Sequence, residues 1–319
     1  MSSSQTKNSS ADYLKYLPDC KQQMQPWPVG EDTAAELELK RSVGEHGVTV
    51  ETVKLLQGLV YGYYAAYRRD LPWRDGADPY RVLVSEVMLQ QTQVDRVIPK
   101  FSAFMEKFSN PQGLANASTP QLLAAWQGLG YNRRALNLQR AARMIVEQWD
   151  GRIPDDPALL QQLPGIGPYT AGAVASFAFN RPQLFLETNI RAVLLHFFFA
   201  DQQGVTDKQL LTVAEAALDR ENPRNWYNAL MDYGSDLKRR FPNPSRRSRH
   251  HSQQSRFEGS DRQVRGAVLR LLLNAGGATL SALQKQLAVD AERLNRIMEG
   301  LVKDGFLKKE GRKFLIPST

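Results

Sequence analysis

The chain has 319 residues, of which 42% are hydrophobic and 23% charged, and 41 Lys and Arg against 33 Asp and Glu leave a formal net charge of +8. That length suits two domains of about 100–200 residues, or one large domain with an appendage. No apolar run approaches the roughly 18 residues of a membrane span, and residues 1–10 are too polar for a secretory signal, so a soluble, cytoplasmic protein without a membrane partner is expected. The basic balance favours a polyanionic partner. A single cysteine, Cys20, excludes an internal disulfide framework and any zinc or iron–sulfur site that needs several thiolates from one chain.

Residues 1–50 mix Ser, Gln, Lys and Glu with Pro26, Pro28 and Gly30 and show no sustained period, which predicts a mobile N-terminal extension. Residues 51–240 carry a series of helical patterns. Asp78-Pro79, Thr119-Pro120 and Asp156-Pro157 each place a capping residue before a proline at the first helical position. The β-branched alternation of strands is missing, which argues against a parallel α/β sheet and its nucleotide crevice.

Residues 241–260 form a basic linker within a longer run, 238–256, that holds seven Lys or Arg, two His, two Pro, four Ser and no acid. Helical periodicity resumes over 261–319 with Val264, Val268, Leu269 and Leu272, then Leu280 to Leu287, then Leu294, Ile297, Met298 and Leu301. A hairpin turning at Glu310-Gly311 follows. Three short helices and a hairpin make a small C-terminal winged helix. Such a module contacts DNA through its third helix or mediates protein contacts, and the sequence leaves both open.

The stretch Leu163-Pro164-Gly165-Ile166-Gly167-Pro168-Tyr169-Thr170-Ala171-Gly172 lies between two helical patterns. Glycines two apart, bracketed by prolines, allow a tight turn, and the following helix then presents free N–H groups that suit a phosphate oxygen. Pro164, Gly165 and Gly167 are thus candidate contacts to a DNA backbone. An ordinary helix connector has the same composition.

Four further stretches accompany this hairpin: Leu71-Pro72-Trp73-Arg74, Ser85-Glu86-Val87-Met88-Leu89-Gln90-Gln91-Thr92-Gln93-Val94, Gly128-Leu129-Gly130-Tyr131 and Leu186-Glu187-Thr188-Asn189-Ile190-Arg191. In this order and at these separations residues 55–240 resemble the helix-hairpin-helix DNA glycosylase superfamily, most closely its adenine glycosylase branch. The resemblance implies an all-α, two-lobed glycosylase fold, here followed by the winged helix. It implies a base excision repair enzyme that hydrolyses adenine from mispairs with guanine or 8-oxoguanine in double-stranded DNA, acting as a monomer. A same-fold enzyme for thymine or uracil opposite guanine, and a catalytically silent DNA-binding protein, are the alternatives.

Breaking an N-glycosidic bond needs a proton for the departing base and a negative charge against the cationic sugar. Two carboxyls in different environments can supply both. The resemblance makes Glu86 the general acid and places Glu187 at the family's catalytic aspartate, with Tyr169 and Asn189 hydrogen-bonding around it. It assigns Gln91 and Tyr131 to wedge positions that fill the gap left by an extruded base. Trp73, Arg74 and Asp232 fall at the adenine pocket, although Trp73 could simply pack and Arg74 and Asp232 could form a structural ion pair.

Three departures from the family pattern matter, together with one gap in the lysines. Glu187 replaces an aspartate and is followed by Thr188 where glycine is usual, which displaces the carboxylate by about 1 Å. No lysine occurs from Phe108 to Asp207, and Tyr169 stands where the lyase branch has its Schiff-base lysine, so a water-using, monofunctional enzyme is expected. The four cysteines of the family's iron–sulfur cluster are missing, so no cofactor is expected. Lys238, Arg239, Arg240, Arg246, Arg247 and Arg249 stand in that region, with Arg246, Arg247 and Arg249 the expected phosphate contacts. The family's C-terminal 8-oxoguanine-reading domain is likewise replaced by the winged helix.

Overall fold

The structure, a computed structural model, describes residues 29–250 and 256–318; Cys20 lies outside them. The chain divides into two compact units, residues 1–70 with 172–252 and residues 71–171 with 253–319. In chain order the helices begin with α1 (Ala34–His46), α2 (Val50–Tyr67), α3 (Pro79–Leu89), α4 (Val94–Lys107), α5 (Pro111–Ala115), α6 (Thr119–Trp126) and α7 (Arg133–Trp149). They continue with α8 (Pro157–Leu160), α9 (Pro168–Phe179), α10 (Thr188–Phe198), α11 (Asp207–Ala217) and α12 (Pro223–Arg240). The C-terminal region comprises α13 (Asp261–Ala275), β1 (Ala278–Thr279), α14 (Leu280–Leu287), α15 (Ala291–Lys303), β2 (Lys308–Glu310) and β3 (Lys313–Leu315). The all-α reading and the winged helix are both present.

In the first unit α10 and α12 pack along each other, and α2 packs on α12. Leu56, Val193, Phe197, Trp226, Tyr233 and Leu237 fill the core. In the second, Leu83, Met88, Phe101, Phe104, Trp126 and Ile145 are buried. The winged helix belongs to this second unit. Its strands are antiparallel in the order β1-β3-β2. Glu310 pairs with Lys313, so the turn falls on Gly311 and Arg312, one residue later than the sequence reading.

Asp78 caps α3 through the N–H groups of Tyr80 and Arg81 ahead of Pro79, as the Asp-Pro signal predicts. At α6 the cap is Ser118, which forms a capping box with Gln121. The sequence reading named Thr119, but Thr119 is already the first helical residue.

The expected mobile extension needs correction over residues 29–50. Thr33 and Glu36 form a capping box at the start of α1, and Leu39 is buried. Glu36 and Arg240 are fully buried and paired. The Tyr233 hydroxyl donates to Glu36 at 2.5 Å, and Arg240 also reaches Asp236 at 2.7 Å. Residues 29–50 are therefore fastened by charge inside the protein, which a polar, aperiodic sequence does not reveal; residues 1–28 lie outside the described residues.

Burial alone would raise the Glu36 carboxyl above its ordinary value of 4.5; Arg240, the Thr33 N–H and the Tyr233 hydroxyl outweigh it and hold the group below. A depressed carboxyl contributes stability above its unfolded pKa and loses it as pH falls through the folded one. Thermal unfolding from pH 7 to pH 3 should show the wild type losing stability below about pH 4.5. Glu36→Gln should start about 1–3 kcal/mol less stable at pH 7, because Arg240 loses its charged bonds to Glu36 and keeps only Asp236, and should show a flatter acid limb.

Candidate active site

Glu86 sits on the buried face of α3, only 8% exposed. The Tyr169 hydroxyl lies 3.5 Å from its Oε2. At the C-cap of α3, Gln90 donates to the Thr170 hydroxyl at 3.1 Å. Residues four apart share a helix face, so Glu86 and Gln90 together dock α3 against the first turn of α9. That turn follows directly on the Pro164 to Gly167 hairpin. Gly165 has φ +80°, and a Cβ there would meet the Asn137 side chain at 2.9 Å, so both backbone conformation and space demand glycine. Gly167 faces open space, with nothing within 4 Å of where a Cβ would stand.

The two wedge candidates share a backbone signature. Gln91 has φ 55° and Tyr131 φ 45°, left-handed values that are uncommon for residues other than glycine and cluster at functional sites. Arg134, which sequence reasoning did not single out, holds both in place. Its Nη1 donates to the carbonyls of Val87, Met88 and Gln90 at 2.8, 2.8 and 2.6 Å. Its Nη2 donates to the Thr92 hydroxyl and to the Leu129 and Gly130 carbonyls at 3.0–3.1 Å. Burial draws this guanidinium down to about 10, which leaves it charged at neutral pH. Trp73 is buried, edge-on to Phe101 with ring centroids 5.5 Å apart. Arg74, half-buried, closes a turn onto the Leu71 carbonyl at 2.9 Å through its backbone N–H.

In the first unit Glu187 is the N-cap of α10, where its carboxylate accepts the Asn189 N–H at 2.5 Å. The positive end of the helix suits the Glu187 charge. The Asn189 side chain donates toward Met231 Sδ at 3.7 Å, while its Oδ1 is buried without a hydrogen-bond partner among the described residues. Asp232 accepts from the backbone N–H and Nε of Arg69 at 2.9 and 2.7 Å, so its charge is engaged within the first unit.

The basic run is not solvated throughout. Lys238 to Arg240 form the last turn of α12, and Arg240 is buried. Arg247 donates to the Leu195 carbonyl at 2.7 Å and to the Ala200 carbonyl, because the end of α10 leaves acceptors that need donors. This corrects the phosphate role expected of Arg247; Arg246 and Arg249 are exposed. Burial lowers the Lys238 ammonium below its ordinary value, Glu187 opposes this, and Arg69 adds to it. Lys238 is thus a half-buried amine in the electrostatic neighbourhood of Glu187, hidden in the sequence by the charges around it.

The segment after α12 holds no cysteine. A 3₁₀ turn over Pro244–Arg247 fills it, and Val205 exchanges backbone hydrogen bonds with Arg247 and Arg249. These residues do not fit a thiolate-held cluster, and among the described residues no group of three His, Cys, Asp or Glu could hold a metal ion. No helix among them is long and apolar enough to cross a membrane.

The family description "HhH-GPD superfamily base excision DNA repair protein" matches residues 84–217. The adenine DNA glycosylase of Mycolicibacterium smegmatis is 33% identical over 283 residues, covering 82% of this chain and 94% of that protein. The chain belongs to the helix-hairpin-helix superfamily of base excision DNA repair proteins. Within it the relatives place the chain in the adenine glycosylase branch. The Mycobacterium tuberculosis adenine DNA glycosylase is 32% identical, covering 80% of this chain and 91% of the relative. The human one is 37% identical over 216 residues, but the match spans only 40% of its length. A thermostable thymine-DNA glycosylase structure shares the fold with a TM-score of 0.51 at 24% identity, covering 57% of this chain and 86% of that one.

Gly234 sets how closely α12 approaches the start of α10, since a Cβ there would lie 2.3 Å from the Asn189 carbonyl oxygen. Gly234→Ala must push that backbone away and carry Glu187 with it. Thermal unfolding should report a loss of about 1–3 kcal/mol. Single-turnover excision should slow by about tenfold or more, given the sensitivity of catalytic geometry to shifts near 1 Å.

Proposed function

We propose that the protein is a monofunctional DNA glycosylase that removes adenine mispaired with guanine or 8-oxoguanine from double-stranded DNA, working as a monomer without a cofactor. The observation that carries this reading is a buried glutamate within the Ser85 to Val94 string, with the Tyr169 hydroxyl at 3.5 Å, in a chain that aligns with almost the whole of a bacterial adenine glycosylase. In this reading Glu86 gives its proton to a ring nitrogen of adenine as the bond to C1′ breaks. Glu187 supplies negative charge against the sugar cation. A water oxygen then bonds to C1′, and the proton it sheds passes to a site carboxylate. The buried Asn189 Oδ1, without a partner among the described residues, is an acceptor suited to holding that water.

The test is single-turnover base release on a panel of duplexes, each with one mispair, with abasic sites revealed by alkali. The wild type should release adenine, and Glu86→Gln should lower the rate by at least the ~100–10,000-fold typical of general acid catalysis while duplex binding persists. Release of thymine or uracil alone would transfer the assignment to the thymine or uracil reading. Release of nothing, with activity appearing in Glu187→Asp, would support the silent DNA-binding reading.

Two further measurements address the chemistry and the cofactor. Borohydride should trap no protein–DNA adduct, because Tyr169 occupies the place of the lyase lysine. An adduct lost in Lys238→Gln would make Lys238 the attacking amine and overturn the monofunctional assignment. Metal analysis of the purified protein should find no stoichiometric iron, whereas a bound iron–sulfur chromophore would overturn the cofactor-free reading.

A further inference from the structure

A cavity of about 1120 Å³ opens within the second unit between α13 of the winged helix and the Gly128 to Tyr131 loop. Its lining holds seven arginine or lysine side chains and a single carboxylate, Asp304. That carboxylate is engaged twice, by Arg265 at 2.6 Å and by Arg133. Arg96, Lys100 and Arg270 add their charge from α4 and α13. The α15 helix, which sequence reasoning would send toward DNA, is different. Two of its three cations turn to Asp261, Arg293 at 2.8 Å and Arg296 at 3.9 Å.

The cavity is also continuous with the wedge candidates. Gln90, Gln91 and Tyr131 are part of its wall. Arg262 of α13 donates to the Tyr131 hydroxyl and lies 5.2 Å from its ring centroid, and Arg134 lies 5.6 Å from the same ring. At the edge Phe257 is 57% exposed, a large aromatic surface in contact with water beside a strongly positive cleft. Clustered cations lining an open cleft are the electrostatic footprint that grips a phosphate backbone.

We propose that this cleft binds the phosphodiester backbone of duplex DNA, so that the winged helix meets DNA through α13 and not through α15. The inference rests on the reading of the chain as a DNA-acting enzyme and deepens it: the winged helix is part of the surface that carries the wedge residue Tyr131. An acidic protein or an RNA would be a different partner, and the duplex is favoured because Gln91 and Tyr131 share the wall.

Fluorescence anisotropy with a mispaired duplex, over a series of salt concentrations, tests this on the full chain. The triple variant Arg96→Gln, Lys100→Gln, Arg270→Gln should bind at least tenfold more weakly at about 0.1 M salt, and should flatten the plot of log K against log salt by about 2–3, near 0.9 for each phosphate that is no longer neutralised. Lys303→Gln, Lys309→Gln, Arg312→Gln, which removes the α15 cation not turned to Asp261 and two of the wing's four, should leave the slope unchanged. An unaltered slope in the first triple, or an equal loss in the second, overturns the proposal. So does competition by a single-stranded RNA of the same length as effective as that of unlabelled duplex. Because the readout is binding, a wild type that binds with the expected slope but excises nothing would sink the proposed activity and leave the cleft assignment standing.

Discussion

The arrangement of the second unit depends on the six oxygens gathered by Arg134. A helix end leaves its last carbonyls without partners, and α3 ends three residues after Glu86, the residue assigned to proton transfer. Arg134 meets the Val87, Met88 and Gln90 carbonyls with one nitrogen and the Gly128 to Tyr131 loop with the other. One side chain on α7 thereby fixes the end of the helix that bears Glu86, the left-handed backbone at Gln91, and the loop that presents Tyr131. The guanidinium plane is suited to this because its donors are held in a rigid fork. A lysine has no such geometry and could serve only part of the set.

The two carboxylates reach their places by different local means. Glu86 is set by helix docking, with Tyr169 and Gln90 as two fixed points along one face of α3. Glu187 is set by a helix start, where its own carboxylate closes the first turn of α10 and Gly234 allows α12 to press against the backbone of Asn189. The departure from aspartate has a consequence at this point. The longer side chain folds back onto the Asn189 N–H, so the charge is located by the backbone of α10 and its extra methylene is taken up in the cap. That offers a physical reason why glutamate can occupy an aspartate position without being left loose.

Much of this was legible in the sequence because it is local. The Asp78-Pro79 cap, the hairpin glycines and the three helices and hairpin of the winged helix are all written in a few adjacent residues, whereas the two-residue β1 between its first two helices is not. Gly165 shows why: its positive φ is a property of the turn itself. Arg134, Glu36 and Lys238 were not legible, because nothing near them in sequence distinguishes a buried charge from a solvated one. Glu36 lies in a polar stretch and finds Arg240 only through the packing of α1. Lys238 sits among cations that point elsewhere. The docked α1 was missed for the same reason, since its fastening is ionic and its apolar stripe is short.

The buried arginines explain why runs of charge mislead. A guanidinium loses hydration when it is buried, and the structure must return acceptors to it. Arg134 and Arg247 receive mainly carbonyls, which are dipoles, and burial lowers both below the ordinary value of 12.5. Burial also works to lower Arg240, but the Glu36 carboxylate outweighs it, and the group is raised. All three charges are therefore engaged inside the fold, two of them from the densest basic run in the chain. The positive charge that lines an open cleft comes instead from residues scattered over α4, α7 and α13, none adjacent to more than one other in sequence. A surface that reads a polyanion is made by the fold bringing dispersed cations to one wall, whereas cations consecutive along a helix point in different directions, and some must turn inward.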